Sequence, residues 1–365
     1  MKILINECST FGMTKRAGQY VQYQPALFIS DCAVPTIALG SAFVYLGKSF
    51  DFAMNNDTIK LAVLNRLREL LSITTSLKVK PQRKLNILKL YIRSQLNFDL
   101  GTYDISLTWI KEQLDSQVNN SVRIWLELPI STCVAEILSL PLSKGGFGIP
   151  SLKSTAESLR LGQRFRLKTS QNAGMNDLWA ETTLQNVVID SFINANPTNC
   201  ASATAALKNT RKNEDLTHVQ SLVLQGAMIT AVSESAIGKG AIKRWSAQIS
   251  KLPAPLFKFV RKAIVQQLAT STNLVRWGKT HNPLCPLCLK PQTNKHVLSN
   301  CSAMISLERY KTRHDRILKI IADWIADSLK PGQTLHADLN SSQYKSVRDV
   351  FQTLRPDIAI VGQTV

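Results

Sequence analysis

The sequence predicts an α+β protein that is mainly helical and carries a small metal-binding module near its C-terminal end. Three observations lead to this fold class. Residues 1–55 are rich in β-forming residues, helical spacing of apolar residues recurs from about residue 58 onward, and three cysteines and a histidine fall within 17 residues. With 365 residues and 44% hydrophobic content, the chain can form two to three packed units.

The N-terminal third predicts strands followed by helices. Residues 21–29 and 42–52 are β-rich and are separated by turn-forming proline and glycine, so we expect short strands up to about residue 55. From Thr58 the apolar residues repeat on one helical face. A second helix follows Pro81, and a third ends before Pro129.

The remaining elements alternate between turns and helices. Residues 140–152 form a glycine-rich loop that matches no dinucleotide or Walker motif, so no small-molecule substrate is predicted. A helix is expected at 154–169, and the Asn, Ala, Thr and Ser content of 194–215 is typical of a linker. Further helices are expected at 216–274 and 315–329. The last segment, 354–362, reads as a turn that leads into a short apolar strand.

The strongest local motif is Cys285, Cys288, His296 and Cys301, with the spacing Cys-x2-Cys-x7-His-x4-Cys. Three thiolates and an imidazole suit tetrahedral Zn²⁺, and four protein ligands leave no position for a reacting water, so the site is predicted to be structural. Chance clustering of buried cysteines is the alternative interpretation. Disulfides are disfavoured, because the cysteine count of seven is odd and the first residues lack the apolar segment of a signal peptide.

The surroundings of this motif are strongly basic. No Asp or Glu occurs between Glu234 and Glu308, whereas that interval holds eleven cations of a chain whose net charge is +19. Such a field is typical of proteins that bind a phosphate backbone, although a basic helix face is often merely solvated. An anionic membrane surface is a less favoured partner, since the metal module favours nucleic acid. The candidate nucleic-acid-binding residues are Lys243, Arg244, Lys258, Arg261, Lys262, Arg276, Lys279, Lys290 and Lys295.

Aromatic residues lie between these cations. Trp245, Phe259 and Trp277 can stack on unpaired bases. Phe257 lies on an apolar helical stripe, so we expect it in the core. No apolar run is long enough to span a bilayer, and the best stretch, 32–47, contains Pro35 and two glycines. An intracellular location without a membrane partner is therefore expected.

Taken in order, these landmarks resemble the C-terminal half of a non-LTR (LINE-type) retrotransposon polyprotein, of the class with a restriction-like endonuclease after the reverse transcriptase. Residues 1–12 are similar to the palm segment after the catalytic strand, and 45–47 to the palm hairpin that grips the primer. Residues 62–128 resemble the thumb, and 140–148 the glycine loop behind it. The Cys/His motif has the spacing of the family's zinc knuckle. Two further matches are Arg313-His314 and Arg355-Pro356-Asp357, the latter resembling the first half of the nuclease core.

The resemblance implies five segments: the end of the palm at 1–55, a thumb-like region at 56–170, a helical linker at 171–235, a basic region with a CCHC knuckle at 236–302, and the start of a PD-(D/E)xK-like α/β nuclease at 303–365. It also implies RNA and DNA as partners, a nuclear location, and Mg²⁺ as a cofactor of the complete parent enzyme only. The parent reactions would be RNA-directed DNA synthesis and DNA nicking.

Both active sites are expected to be incomplete. Polymerisation needs paired aspartates for two Mg²⁺ ions, and the sequence contains no aromatic-x-Asp-Asp motif. Asp357 is the one candidate catalytic residue of the nuclease, and its second carboxylate and lysine would lie farther along than Val365. We therefore expect a fragment that is inactive alone.

Two other functions are compatible with these residues. One is a non-enzymatic zinc-knuckle protein that binds nucleic acid and derives from such an element. The other is a zinc-stabilised helical scaffold for a protein partner, whose affinity for nucleic acid would not depend on salt. Polymerase aspartates in an open frame upstream of Met1 would favour the polyprotein over the first of these.

Overall fold

The computed structural model divides the chain into two compact units, Met1–Val265 and Gln266–Val365. The predicted palm segment at 1–7, the tip of the primer hairpin at 46–47 and Arg355 lie outside the described residues, as does the side chain of Lys243. The described residues are 8–29, 31–45, 48–50, 56–183, 186–196, 198–339, 343–351 and 356–362.

Short antiparallel hairpins begin the first unit, as the β-rich composition predicts. Strands β1 (Gly12–Arg16) and β2 (Gln19–Tyr23) pair through a two-residue turn in which Ala17 and Gly18 have φ of 50° and 83°. Positive φ at both turn positions is the geometry that suits the twist of a tight hairpin. Two further pairs follow, β3 (Phe28–Ile29) with β4 (Cys32–Ala33) and β5 (Phe43–Tyr45) with β6 (Lys48–Phe50).

A helical core follows these strands. It contains α1 (Asp57–Ser76), α2 (Pro81–Ile87), α3 (Arg93–Thr102), α4 (Leu107–Trp109) and α5 (Ser116–Leu126). One π-helical stretch joins α2 to α3, and another joins α4 to α5. Leucines spaced along these helices, such as Leu67, Leu88 and Leu114, are fully buried in a single cluster. The three predicted helices of this region are therefore present, and burial of one apolar face holds them together.

The glycine loop lies between α6 (Val134–Ser139) and α7 (Leu152–Thr169). Gly145 and Gly148 have φ of 82° and 62°, a region that disfavours other residues. A Cβ on Gly146 would lie 2.1 Å from the carbonyl oxygen of Leu140, so the backbone passes too closely there for any side chain. The loop is thus a packed turn of the first unit.

Residues 194–215 do not form the open linker that their composition predicts. Most of them belong to α10 (Cys200–Ser221), which packs with α8 (Ala173–Glu181) and α9 (Val187–Ala195) around α7. Ala203 and Leu207, one helical turn apart, are buried against these helices, and Asn199 caps the first turn. Small residues such as Ala203 allow α10 to pack closely against its neighbours, although the composition of the segment is polar.

The first unit closes with α11 (Ala227–Glu234), α12 (Ala236–Ile249) and α13 (Ala254–Ile264). Phe257 and Ile264 of α13 are buried in the main core, as the apolar stripe predicts.

The second unit contains the Cys/His motif, two short helices and a helix–hairpin module. Its elements are α14 (Ser271–Arg276), α15 (Ser302–Ser306), α16 (Arg309–Ala326), β7 (Gln333–Ala337) and β8 (Ile358–Gly362). The two strands pair antiparallel, and Ala322, Leu335 and Ala337 form a small core between helix and hairpin. The mainly helical α+β class is confirmed. Among the described helices, none combines the length and apolarity needed to cross a bilayer.

Candidate metal centre and basic surfaces

A tight turn brings the first two cysteines of the motif together. The backbone N–H of Cys285 donates to the carbonyl oxygen of Lys290 (2.7 Å), and the N–H of Leu289 donates to that of Cys285 (2.9 Å). Leu289 has a φ of 59°, which reverses the chain directly after Cys288. Leu284 and Pro291 then form an antiparallel bridge. The Cys-x2-Cys segment is therefore a tight turn that places Cys285 and Cys288 next to each other.

The other two ligands come from the following segment. His296 begins a π-helical turn that ends at Asn300, and Cys301 follows it. The four ligand atoms all lie within 4.8 Å of one another. The Sγ atoms of Cys285 and Cys301 are 4.0 Å apart, and the Sγ of Cys288 is 3.4 Å from Nε2 of His296. Tetrahedral bonds of about 2.3 Å to sulfur and 2.0 Å to nitrogen require about 3.8 Å and 3.5 Å, so the four residues fit one metal ion.

Burial and local hydrogen bonds change the acidity of the thiols. Cys285, His296 and Cys301 are each less than a tenth exposed. The backbone N–H of Leu287 lowers the pKa of the Cys285 thiol to about 6, and His296 adds to this effect. Burial instead raises the pKa of the Cys301 thiol. Because thiolates are the ligating form, a bound cation would favour the ionised form of both cysteines.

Two residues that the sequence motif does not include hold the ligands in place. The N–H of His296 donates to Oγ1 of Thr293 at 3.2 Å. The hydroxyl of Tyr310 lies 3.2 Å from the carbonyl oxygen of His296 and 3.2 Å from the backbone nitrogen of Cys301. No local pattern marks Tyr310, because it lies nine residues beyond the last ligand and in another helix.

Four of the candidate phosphate-binding cations lie in the second unit, which also contains this centre. Arg276, Lys279, Lys290 and Lys295 are all exposed. Arg276 donates to the side-chain oxygen of Asn273 (3.0 Å). Within the described part of the chain, none of the four forms an ion pair. Lys290 and Lys295 also line an open cavity of about 310 Å³ beside His296.

In the first unit, two predicted cations are paired with an acid from a distant element. The ammonium groups of Lys258 and Lys262 lie 2.6 Å and 3.2 Å from the carboxylate of Glu127, at the end of α5. The basic interval between Glu234 and Glu308 therefore has an acidic partner in the folded chain, although it contains no acidic residue itself. Glu127 is more than half exposed, so both cations remain within reach of solvent and of a competing anion.

Arg261 was predicted to bind nucleic acid, as these lysines were, but the structure places it in the core. Its guanidinium lies 4.2 Å from the ring centroid of Phe147 and 5.4 Å from that of Phe257. It donates to the carbonyl oxygen of Gly145 at 2.9 Å, and burial lowers its pKa to about 10. Only 5% of the residue is exposed, so this cation joins α13 to the glycine loop and cannot reach a phosphate.

A groove in the first unit adds lysines that the basic interval does not contain. Lys80, directly before α2, and Lys84, within α2, line a cavity of about 360 Å³ together with Lys258. We call this the lysine groove. Its apolar part includes Val79 and the 64% exposed Ile124. Burial and the nearby Lys258 both lower the pKa of Lys84, and the Lys84 ammonium donates to the carbonyl oxygen of Thr75 at 2.6 Å.

The four aromatic residues of the basic interval differ in exposure, and the prediction that Phe257 lies in the core is confirmed. Trp245 of α12 and Phe259 of α13 are about half exposed, whereas Phe257 is buried and Trp277 is half-buried. Arg244, next to Trp245, is exposed as well. Exposed rings beside exposed cations are the side-chain types that bind unpaired nucleotides.

Asp357 lies directly before β8 on the surface of the second unit. One of its carboxylate oxygens is 3.2 Å from Nε2 of His314, whose Nδ1 is 3.1 Å from Asp315. The hydrogen bond to Asp315 and the charge of Asp357 raise the pKa of His314. The sequence landmarks Arg313-His314 and Pro356-Asp357 are thus adjacent in space, at the edge of the hairpin.

Comparison with known proteins gives one partial similarity. No protein-family model matches the chain. The chain is 26% identical over 197 residues to the Retrovirus-related Pol polyprotein from type-2 retrotransposable element R2DM of Drosophila melanogaster. The match covers 53% of this chain and 17% of that polyprotein, so the chain corresponds to a small part of the relative's length. This similarity supports a retrotransposon-derived protein.

Proposed function

We propose that the chain is the nucleic-acid-binding part of a retrotransposon reverse transcriptase/endonuclease polyprotein, in which a structural zinc ion stabilises a knuckle. The observation that carries the proposal is the closed Cys3His ligand set, surrounded by exposed cations without ion pairs among the described residues. The partial similarity to a retrotransposon polyprotein supports the same assignment. The knuckle and its cations bind RNA or DNA, and the parent reactions are DNA synthesis on RNA and nicking of target DNA.

Zinc is the metal that this donor set favours. Three thiolates and one imidazole are soft to borderline ligands, which disfavours Mg²⁺ and Ca²⁺. Four protein donors fill a tetrahedral shell, so the ion has a structural role. Cys285, Cys288, His296 and Cys301 would hold it, and the binding free energy would stabilise the knuckle.

Phosphate groups are the ligands that the cations favour. In the second unit, Lys290 and Lys295 lie beside the knuckle without a carboxylate partner in the described residues, so a phosphate is the group that would neutralise them. In the first unit, the lysine groove offers three ammonium groups next to an apolar wall. A strand bound at either surface would gain charge neutralisation, and at the lysine groove it would also contact apolar side chains.

Salt-dependent binding tests this function. We expect the full chain, loaded with zinc, to bind RNA and DNA with an affinity that falls as salt rises, and the double variant Lys290→Gln/Lys295→Gln to flatten the log–log slope by about one to two units. The matched control is Lys208→Gln/Lys212→Gln, which removes two exposed cations from α10. Metal analysis should find one zinc per chain. An affinity independent of salt would instead favour a protein-binding scaffold.

A further inference from the structure

Tyr310 connects the metal ligands to the longest helix of the second unit. Its phenol oxygen accepts a hydrogen bond from the backbone N–H of Cys301 (3.2 Å), and it lies 3.2 Å and 3.3 Å from the carbonyl oxygens of His296 and Val297, to which its proton is donated. One hydroxyl therefore satisfies backbone groups of two of the four ligands. The guanidinium of Arg313 lies 5.1 Å from the Tyr310 ring centroid and adds a cation–π contact.

The first turns of α16 have few other anchors. The described buried residues of this helix are Leu318 and Ala322, both in its C-terminal half. The residue before the helix, Glu308, has a φ of 51° and forms no side-chain cap. Because caps and buried side chains usually hold a helix start, the hydrogen bonds of Tyr310 are an important tertiary contact of this end.

The same helix carries the partner of Asp357. His314 lies four residues after Tyr310, so the two side chains project from one face of α16. Nε2 of His314 is 3.2 Å from the carboxylate of Asp357. The carbonyl oxygen of Asp357 in turn accepts the N–H of Asp338 (3.0 Å), which joins the end of β7 to the start of β8. A displacement of the helix start would therefore separate His314 from Asp357.

We propose that metal binding at the knuckle positions the start of α16 through Tyr310 and thereby holds His314 against Asp357. This inference rests on the metal binding proposed above. Tyr310 is a positioning residue, since it touches the backbone of the ligands and not the metal. Because coupling between two sites is reciprocal, anchoring of α16 also raises the affinity of the knuckle for its metal.

Tyr310→Phe in the full chain tests the coupling, with Tyr344→Phe as the matched control. The Tyr344 hydroxyl donates to Asp323, in the C-terminal half of the same helix, so the control also removes one phenol hydrogen bond from α16. Zinc affinity is measured by competition with a chromophoric chelator. We expect Tyr310→Phe to weaken affinity about five- to tenfold, as the loss of part-buried hydrogen bonds predicts, and Tyr344→Phe to leave it unchanged.

Hydrogen exchange in the wild-type chain gives a second readout that needs no variant. Removing zinc should accelerate exchange at residues 309–314 and at the amide of Asp338, and Tyr310→Phe should produce part of that increase with zinc bound. If the chain binds one zinc but these amides do not respond and Tyr310→Phe keeps wild-type affinity, the coupling is refuted while the zinc site stands. If no zinc binds, the proposed knuckle function fails as well.

Discussion

Arg261 shows at the scale of one residue how burial changes the role of a charge. Its guanidinium is enclosed by two phenylalanine rings and bonded to the carbonyl oxygen of Gly145. We expect Arg261→Ala to lower the free energy of unfolding by about 3 kcal/mol, because it leaves a cavity and an unpaired carbonyl. Urea denaturation measures this change. Lys262→Ala, which removes a neighbouring, partly exposed cation paired with Glu127, should cost less than about 1 kcal/mol.

For nucleic-acid binding, Lys262→Ala should weaken the affinity more than Arg261→Ala does. Lys262 remains near the surface and can exchange Glu127 for a phosphate, whereas Arg261 is enclosed. A flatter salt dependence in Arg261→Ala than in Lys262→Ala, with the fold intact, would contradict the structural role of Arg261.

Asp115 makes stability depend on pH. Its carboxylate accepts the N–H groups of Leu152 (2.7 Å) and Lys153 (3.2 Å) at the start of α7, yet burial raises its pKa from 3.8 to about 6. Between these values the folded chain binds more protons than the unfolded chain, so the stability contribution present below pH 3.8 is lost as pH rises through about 6. The change is about 3 kcal/mol.

Unfolding free energies measured from pH 4 to pH 7 test this assignment. Asp115→Asn cannot ionise, so its curve should lack this decrease. Asp104→Asn is the control, because the Asp104 side chain is 94% exposed. Parallel curves for the wild type and Asp115→Asn would show that Asp115 titrates normally.

At the scale of one element, the glycine loop depends on a close backbone approach. A methyl group at Gly146 would meet the carbonyl oxygen of Leu140 at 2.1 Å, so Gly146→Ala must displace the loop that Arg261 holds. We expect a loss of about 2–4 kcal/mol in thermal or urea unfolding. Gly162→Ala is the matched control, since nothing lies within 4 Å of its added Cβ in the middle of α7. That variant should gain about 0.5–1 kcal/mol.

At the scale of the whole molecule, the two units have separate cores. The four metal ligands and the hydrogen bonds around them belong to the second unit. Chelation of zinc should therefore increase hydrogen exchange in 283–314 and leave the core helices α1 to α7 protected. Cys288→Ser should reproduce the effect without a chelator. Equal loss of protection in both units would show that the metal stabilises the chain as one cooperative body.

Local spacing by itself determined the Cys/His cluster that could hold a metal, the helical regions and the short terminal strand. Ligands within 17 residues meet through one turn, and apolar periodicity reports which face of a helix is buried. The same reasoning placed Phe257 in the core and misread 194–215 as a linker, because composition alone does not show that Ala203 and Leu207 have partners to pack against.

Only the tertiary structure decided which of the basic side chains are available to bind a phosphate. Arg261 reaches Gly145 across 116 residues, and Lys258 reaches Glu127 across 131. Whether a cation is neutralised or buried depends on distances in space, so a run of cations in the sequence does not predict it. For the same reason the sequence does not predict the role of Tyr310. Its contact with the backbone of His296 and Cys301 exists only once α16 packs against the Cys/His segment.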